Sequence, residues 1–255
     1  MTRRRWIADE FSADRAALTG EHAAHLSRTL RARVGQLFEV ACGDQVRRAT
    51  VASVQDERVE FTLGEEVAAR EAVSITLLLA VFKFDRMEWA IEKCTELNVT
   101  TIIPVIARRT EKHLALAASK RVERWRRIAR EAAEQSRRIA PPEIGNPVKV
   151  SDVFGLTSAG DVALTDQGNL TAVDVPGSRR IVLAESEREA SLVEVLRPLV
   201  EVKSLSLAVG PEGGWTAEEL QSFATSRWIA ASLGDTVLRA ETAAIAAVAV
   251  ARAEL

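Results

Sequence analysis

Between residues 35 and 66 apolar and polar positions alternate in short runs, "GQLFEVACGDQVRRATVASVQDERVEFTLGEE", broken at Cys42-Gly43-Asp44 and at Gln55-Asp56-Glu57. A period of two bounded by turn residues predicts strands, so residues 1–70 read as a small β-rich domain or barrel. Past residue 70 the pattern changes. Apolar runs ("SITLLLAVF", "TTIIPVIA", "RRIVLAE", "SLSLAVG", "RWIAASLG") alternate with helical stretches over 86–97, 119–136, 190–199, 216–224 and from about Glu241. Strands alternating with helices predict a parallel sheet covered by helices, an α/β fold. Residues 155–177, with Gly155, Gly160, Gly168 and Pro176, carry no periodicity and receive no element.

The 255 residues, 47% of them hydrophobic, suit one large or two modest domains with a sizeable core. The longest apolar run is cut by Lys83 and Asp85, which leaves no expected membrane span. "MTRRRWIADEF" has basic residues without a following apolar segment, so a soluble, cytoplasmic protein without export signal is expected. Cys42 and Cys94 have no CxxC partner and read as reduced thiols; His22, His25 and His113 lack ligand-like spacing, so no metal is expected. The near-neutral net charge of −2 hides an asymmetry, because the stretch from Arg108 to Arg138 holds 11 basic residues against 4 acidic ones. Such a run serves either a phosphate backbone or a solvated helix face laced with i,i+4 ion pairs.

"LAVGPEGGWTAEEL" places Gly210, Gly213 and Gly214 between an apolar run and a helix start, where Thr216 and Glu219 make a capping box. That is the C-terminal edge of a parallel strand, where open α/β sheets bind ligands. The glycines serve either a ligand's close approach or a tight strand-to-helix turn. G-x-x-x-x-G-K-[ST] and G-x-G-x-x-G are both absent from the sequence, and Glu212 would repel a phosphate. A neutral or cationic ligand such as S-adenosylmethionine suits the loop better. A second loop, "LGDTVLRAETAA", enters an Ala-rich helix with Arg239 and Glu241 at the junction. Glu241 is favoured by the helix dipole, whereas Arg239 beside Val237 and Leu238 is either paired with an acid or placed for an anionic substrate.

Together these loops resemble the ribosomal RNA small subunit methyltransferase E (RsmE) family of the SPOUT class. Three more stretches resemble it in order: "HLSRTLRARVGQ", "FKFDRMEWAIEKCTELNVTTIIPV" and "EAAEQSRRIAPPEI". The chain departs from the family pattern at Phe84 and Arg137, where glycine is usual, at Thr236, where a basic residue is common, and at "LAESE" in place of L-x-H-E. The resemblance implies a SPOUT methyltransferase domain with a C-terminal trefoil knot over 73–255, preceded over 1–70 by a PUA-like β-barrel that helps hold RNA. It implies a homodimer that methylates N3 of a uridine in small-subunit (16S) ribosomal RNA, within the 30S subunit. The methyl donor S-adenosylmethionine would lie in three loops: Leu183, Ala184 and Glu185; Gly210, Pro211, Glu212, Gly213 and Gly214; and Leu233, Gly234, Val237 and Leu238.

N3 of uracil lies on the Watson–Crick edge and carries a proton, so the base must be unpaired or flipped before that nitrogen reacts. Arg239 is assigned to the uracil or its developing charge, Glu241 to the general base, and Glu212 to the base in reserve. Arg3, Arg4, Arg5, His25, Arg28, Arg31, Arg86, Arg108, Arg109, Arg137 and Arg138 are expected near phosphates, and Trp89 in the core. A non-catalytic RNA-binding assembly factor of the same fold is the first alternative, and a metabolic enzyme with a nucleotide cofactor the second.

Overall fold

The structure is a computed structural model. It describes residues 5–43, 45–67, 73–136, 138, 140–157, 161–173, 175–187, 189–199 and 201–255. The chain divides into two compact units, Met1–Glu71 and Ala72–Leu255.

In the first unit the alternating pattern becomes β1 (Arg5–Ile7), β2 (Glu10–Phe11), β3 (Arg15–Thr19), β4 (Leu37–Cys42), β5 (Gln45–Val54) and β6 (Arg58–Glu66). They form one sheet in the order β1-β4-β5-β6-β3-β2, antiparallel except for the β1–β4 pair. A short helix α1 (Gly20–Ala24) runs into a π-helical turn, His25–Thr29, between β3 and β4. Every second residue of the strands feeds a core of Trp6, Leu18, Val40, Val51, Val59 and Phe61, onto which the turn adds Leu26.

The second unit is a mixed α/β fold around a parallel sheet. Its elements are β7 (Ser74–Ala80), α2 (Phe84–Glu96), β8 (Thr101–Ile106), α3 (Lys112–Ala117), α4 (Val122–Gln135), β9 (Glu143–Ile144), β10 (Val148–Lys149) and α5 (Val150–Thr157). These are followed by β11 (Asp161–Leu164), β12 (Leu170–Val173), β13 (Ser178–Leu183), α6 (Leu192–Leu196), β14 (Ser204–Val209), α7 (Ala217–Thr225), β15 (Ile229–Ala231) and α8 (Ala240–Glu254). The sheet order is β10-β8-β7-β14-β13-β15, with β9 also on β8, and each pairing is parallel. Burial on both faces explains the unbroken apolar runs. Ile75, Leu77 and Leu79 of β7 face one core with residues of α2, α4 and α8, while Leu78 and Ala80 face the other, with Trp215, Phe223 and Trp228. Phe223 packs edge-on to Phe154, Trp215 and Trp228 at centroid distances of 4.8, 5.0 and 5.2 Å.

Three features depart from the pattern read in the sequence. The helix expected over 119–136 starts later, because a 3-10 turn over Ala118–Arg121 separates α3 from α4. Trp89, expected in the core, is 47% exposed. The inward stripe of α2 is Met87, Ala90, Ile91 and Cys94, and a side chain two positions after Met87 falls on the other face. The unassigned stretch contains the antiparallel pair β11–β12, pairing Asp161 with Val173 through Leu164 with Leu170. Asp161 pins this hairpin to the sheet: it is 3% exposed and accepts hydrogen bonds from the hydroxyls of Ser178, Ser204 and Ser206 at 2.7, 2.9 and 2.7 Å.

Candidate functional site

The neighbouring strands β14, β13 and β15 end level with one another, since Val182 pairs with Ala208 and Leu183 with Ala231. Their C-terminal loops therefore leave the sheet side by side. They enclose a cavity of about 590 Å³, to which Lys83 and Arg86 contribute after β7 and Arg109 after β8. Cavities of this size accept a small organic ligand. Of the residues expected to hold the donor, Leu183, Ala184, Glu185, Gly210, Pro211, Glu212, Gly214, Leu233, Gly234, Val237 and Leu238 line it. Gly213 does not; its carbonyl accepts a hydrogen bond from Arg109 Nη1 at 2.6 Å.

Local chemistry fixes the glycine loop. Gly214 has φ +67°, and a Cβ there would stand 2.8 Å from Glu185 Oε1. A Cβ on Gly210 would press on the Trp215 indole at 3.2 Å, and that indole donates Nε1–H to the Leu183 carbonyl at 3.1 Å. The first and second loops are thereby tied together. Glu219 is 4% exposed and accepts from Thr216 N at 2.9 Å and from Arg108 N at 2.8 Å. The capping box was legible in sequence; its tether to the loop after β8 was not, because Arg108 is remote in the chain.

The charged groups separate into bound and free. Arg239 is the N-cap of α8, exposed and lining the cavity, and its guanidinium has no partner among the described residues. No ion pair to an acid is seen for it among the described residues, one of the two alternatives left open. Glu212 lines the cavity too, with Oε1 accepting from Arg86 Nη1 at 2.8 Å and Oε2 lying 3.9 Å from Lys83 Nζ. Glu241, assigned as the general base, is placed differently. Its side chain is 5% exposed, it is not among the cavity's lining residues, and its Oε1 lies 3.7 Å from Arg86 Nε. Two residues along a helix point to different faces, so Glu241 turns towards α2 while Arg239 faces the cavity.

The residues expected near phosphates also divide. His25, Arg28 and Arg31 are exposed on the first unit, Arg28 paired with Asp56 at 3.1 Å. Arg108 is exposed and lies 3.4 Å from Glu218, while Arg86 and Arg109 belong to the cavity. Arg138 turns inwards: it donates to the Thr95 carbonyl at 2.9 Å, and burial, with Arg252 nearby, pushes its guanidinium down to about 10. It is not the solvent-facing cation that a phosphate contact needs. Arg3, Arg4, Arg137 and the side chain of Arg5 lie outside the described residues. Three arginines of α4 are engaged in ion pairs, Arg124 with Glu88 at 2.6 Å, Arg126 with Glu123 at 2.7 Å and, at i,i+4, Arg127 with Glu131 at 3.9 Å, which favours the ion-paired helix face for that part of the basic run.

The family of RNA methyltransferase domains matches residues 69–252. A ribosomal RNA small subunit methyltransferase E of Rickettsia conorii is 30% identical to this chain, over 92% of it and 88% of its own length. The chain belongs to the ribosomal RNA small subunit methyltransferase E family. The Bacillus subtilis protein of that name is 28% identical over 89% of this chain and 85% of its own. Among solved structures, the family member of Neisseria gonorrhoeae bound to S-adenosylmethionine is 26% identical, with a TM-score of 0.64 over 96% of this chain and 94% of that one. A Legionella pneumophila methyltransferase complexed with S-adenosylmethionine is 25% identical, with a TM-score of 0.61 over 98% and 96%. The family's two C-terminal motifs, here "GPEGG" and "LGDTVLRAETA", form two walls of the cavity. The departure at Phe84 has a structural use: its ring lies 6.1 Å from Trp125 and under the Arg121 guanidinium at 4.6 Å. Among the described residues no cluster of His, Cys, Asp or Glu is arranged for a metal, and no helix is long and apolar enough to cross a membrane.

Proposed function

We propose that this chain transfers a methyl group from S-adenosylmethionine to N3 of a uridine in small-subunit ribosomal RNA, giving 3-methyluridine. The observation that carries the reading is the three-loop cavity with an unpaired guanidinium, Arg239, on its wall. The names of the relatives supply the RNA, and the bound S-adenosylmethionine of the Neisseria relative supports the donor. The residues present fit that donor. Gly210 and Gly214 present bare backbone at the cavity wall, and the exposed carboxylates of Glu185 and Asp235 suit its cationic groups. When bound, the donor supplies an activated methyl group and leaves as a neutral thioether.

The chain's own residues do the rest. Arg239 binds the negative charge that spreads over the uracil carbonyls as the N3 proton leaves. Glu212, the base held in reserve and the one of the two carboxylates that lines the cavity, receives that proton. The first unit acts as a PUA-like barrel holding RNA, with Arg4, His25, Arg28 and Arg31, and Arg108, Arg109 and Arg137 add contacts from the second. The second unit carries a C-terminal trefoil knot, and the protein works as a cytoplasmic homodimer on the 30S subunit.

Calorimetric donor binding and single-turnover label transfer to small subunits, compared between wild type and Arg239→Ala, test the reading. Arg239→Ala should bind donor within about threefold of wild type and transfer about 100-fold more slowly. Full transfer by the variant would remove Arg239 from the mechanism. Wild-type protein that binds no donor would instead point to the non-catalytic assembly factor.

A further inference from the structure

Arg86 lies in the first turn of α2, with a carboxylate near each of two of its nitrogens. Nη1 donates to Glu212 Oε1 at 2.8 Å, and Nε lies 3.7 Å from Glu241 Oε1. Nη2 has no partner among the described residues, and Arg86 lines the cavity. Exposure grades sharply across the trio, the Arg86 and Glu212 side chains being 31% and 33% exposed and Glu241 only 5%. A carboxylate removed that far from water needs a cation or hydrogen bonds. Arg86 is the cation within ion-pair distance of Glu241 among the described residues, and Glu241 Oε2 has no hydrogen-bond partner there.

We propose that Arg86 is a second acceptor-facing cation of the cavity and that Glu241 is its positioning residue. A guanidinium is a planar fork of five N–H donors; the hydrogen bond from Nη1 to Glu212 and the nearby charge of Glu241 hold it at the cavity wall and leave Nη2 for one more acceptor. The acceptor with matching chemistry is a carbonyl oxygen of the target base, which gains negative charge when the neighbouring ring nitrogen loses its proton. Arg86 then acts beside Arg239, and Glu241 acts only through Arg86. Lys83, Arg109, Glu185, Asp235 and Arg239 are the other charged residues lining the cavity, Lys83 Nζ lying 3.9 Å from Glu212. The inference rests on the methyl-transfer reading and deepens it.

The test is a double-mutant cycle of Arg86→Met and Glu241→Gln, read by single-turnover transfer under saturating donor, with donor affinity and thermal midpoint measured on each variant. Arg86→Met should transfer about 100-fold more slowly with donor affinity within about threefold. Glu241→Gln should cost on the order of tenfold in the wild-type background and less than about twofold in the Arg86→Met background. Should Arg86→Met fold poorly because it strands a buried carboxylate, the double variant removes both charges and should recover the midpoint. Arg86→Lys supplies a folded comparison that keeps the charge without the fork, and it should also transfer more slowly. Equal losses from Glu241→Gln in both backgrounds would overturn the positioning role, and wild-type rates in Arg86→Met or Arg86→Lys would overturn the role of Arg86. Absence of transfer by wild type would overturn the functional reading itself, and with it this one.

Discussion

Arg239 and Glu241 stand two residues apart at the start of α8 and meet opposite environments, one exposed in the cavity and one 4% exposed against α2. Their place at a strand-to-helix junction was legible in the sequence, and of the two Arg239 lines the cavity while Glu241 does not. Their directions were not, since they depend on how α8 packs, which sets Glu241 beside Arg86, far away in the chain. Gly214 was legible as a turn glycine, and the structure adds a positive φ and the near contact with Glu185. Gly214→Ala should therefore weaken donor binding by at least about tenfold in calorimetry, as the loop strains or Glu185 shifts; unchanged affinity would separate this loop from the donor. Cys94 makes a different prediction. Burial pushes its thiol from 9.0 up to about 12, so it stays protonated and inert to thiol reagents until the protein unfolds. The unfolded chain loses this proton near 9.0 while the folded one keeps it to about 12, so the contribution of Cys94 to stability is complete below pH 9 and falls across that window. Denaturant melts of wild type and Cys94→Ala between pH 8 and 11 check the difference.

Elements with a strong period were legible, and those whose burial is partial were not. β7 and β14 announced themselves as apolar runs because both faces of the sheet are covered. The β11–β12 hairpin did not, because its strands are four residues each and β12 is half-buried throughout, which leaves no alternation to detect. Asp161 holds it through serine hydroxyls contributed by β13 and β14, a link the linear pattern does not display. At α7 the capping box and the buried face can be ranked. Thr216→Ala should cost about 1 kcal/mol and Phe223→Ala about 3–5 kcal/mol, because one loses a cap and the other opens a hole among three aromatic rings. Urea melts that reversed this order would contradict the packing described for that face of the sheet.

At the scale of the whole molecule, the change of pattern near residue 70 matches the division into two compact units. The charge map was less informative, because the basic run mixes arginines bound in ion pairs on α4 with others at the cavity, and composition does not distinguish the two. RNA binding by the intact protein should weaken by at least about 100-fold between 50 and 200 mM salt, and Arg28→Ala should lower the salt slope by about 1. Salt-insensitive binding would leave the phosphate contacts without support. The most direct test of the central claim is chemical identification of the product. Small subunits from cells lacking any equivalent enzyme are incubated with the protein and labelled S-adenosylmethionine, and the RNA is digested to nucleosides and resolved by mass. The account predicts label in 3-methyluridine, more from subunits than from naked ribosomal RNA; label in another nucleoside, or none despite bound donor, would contradict it.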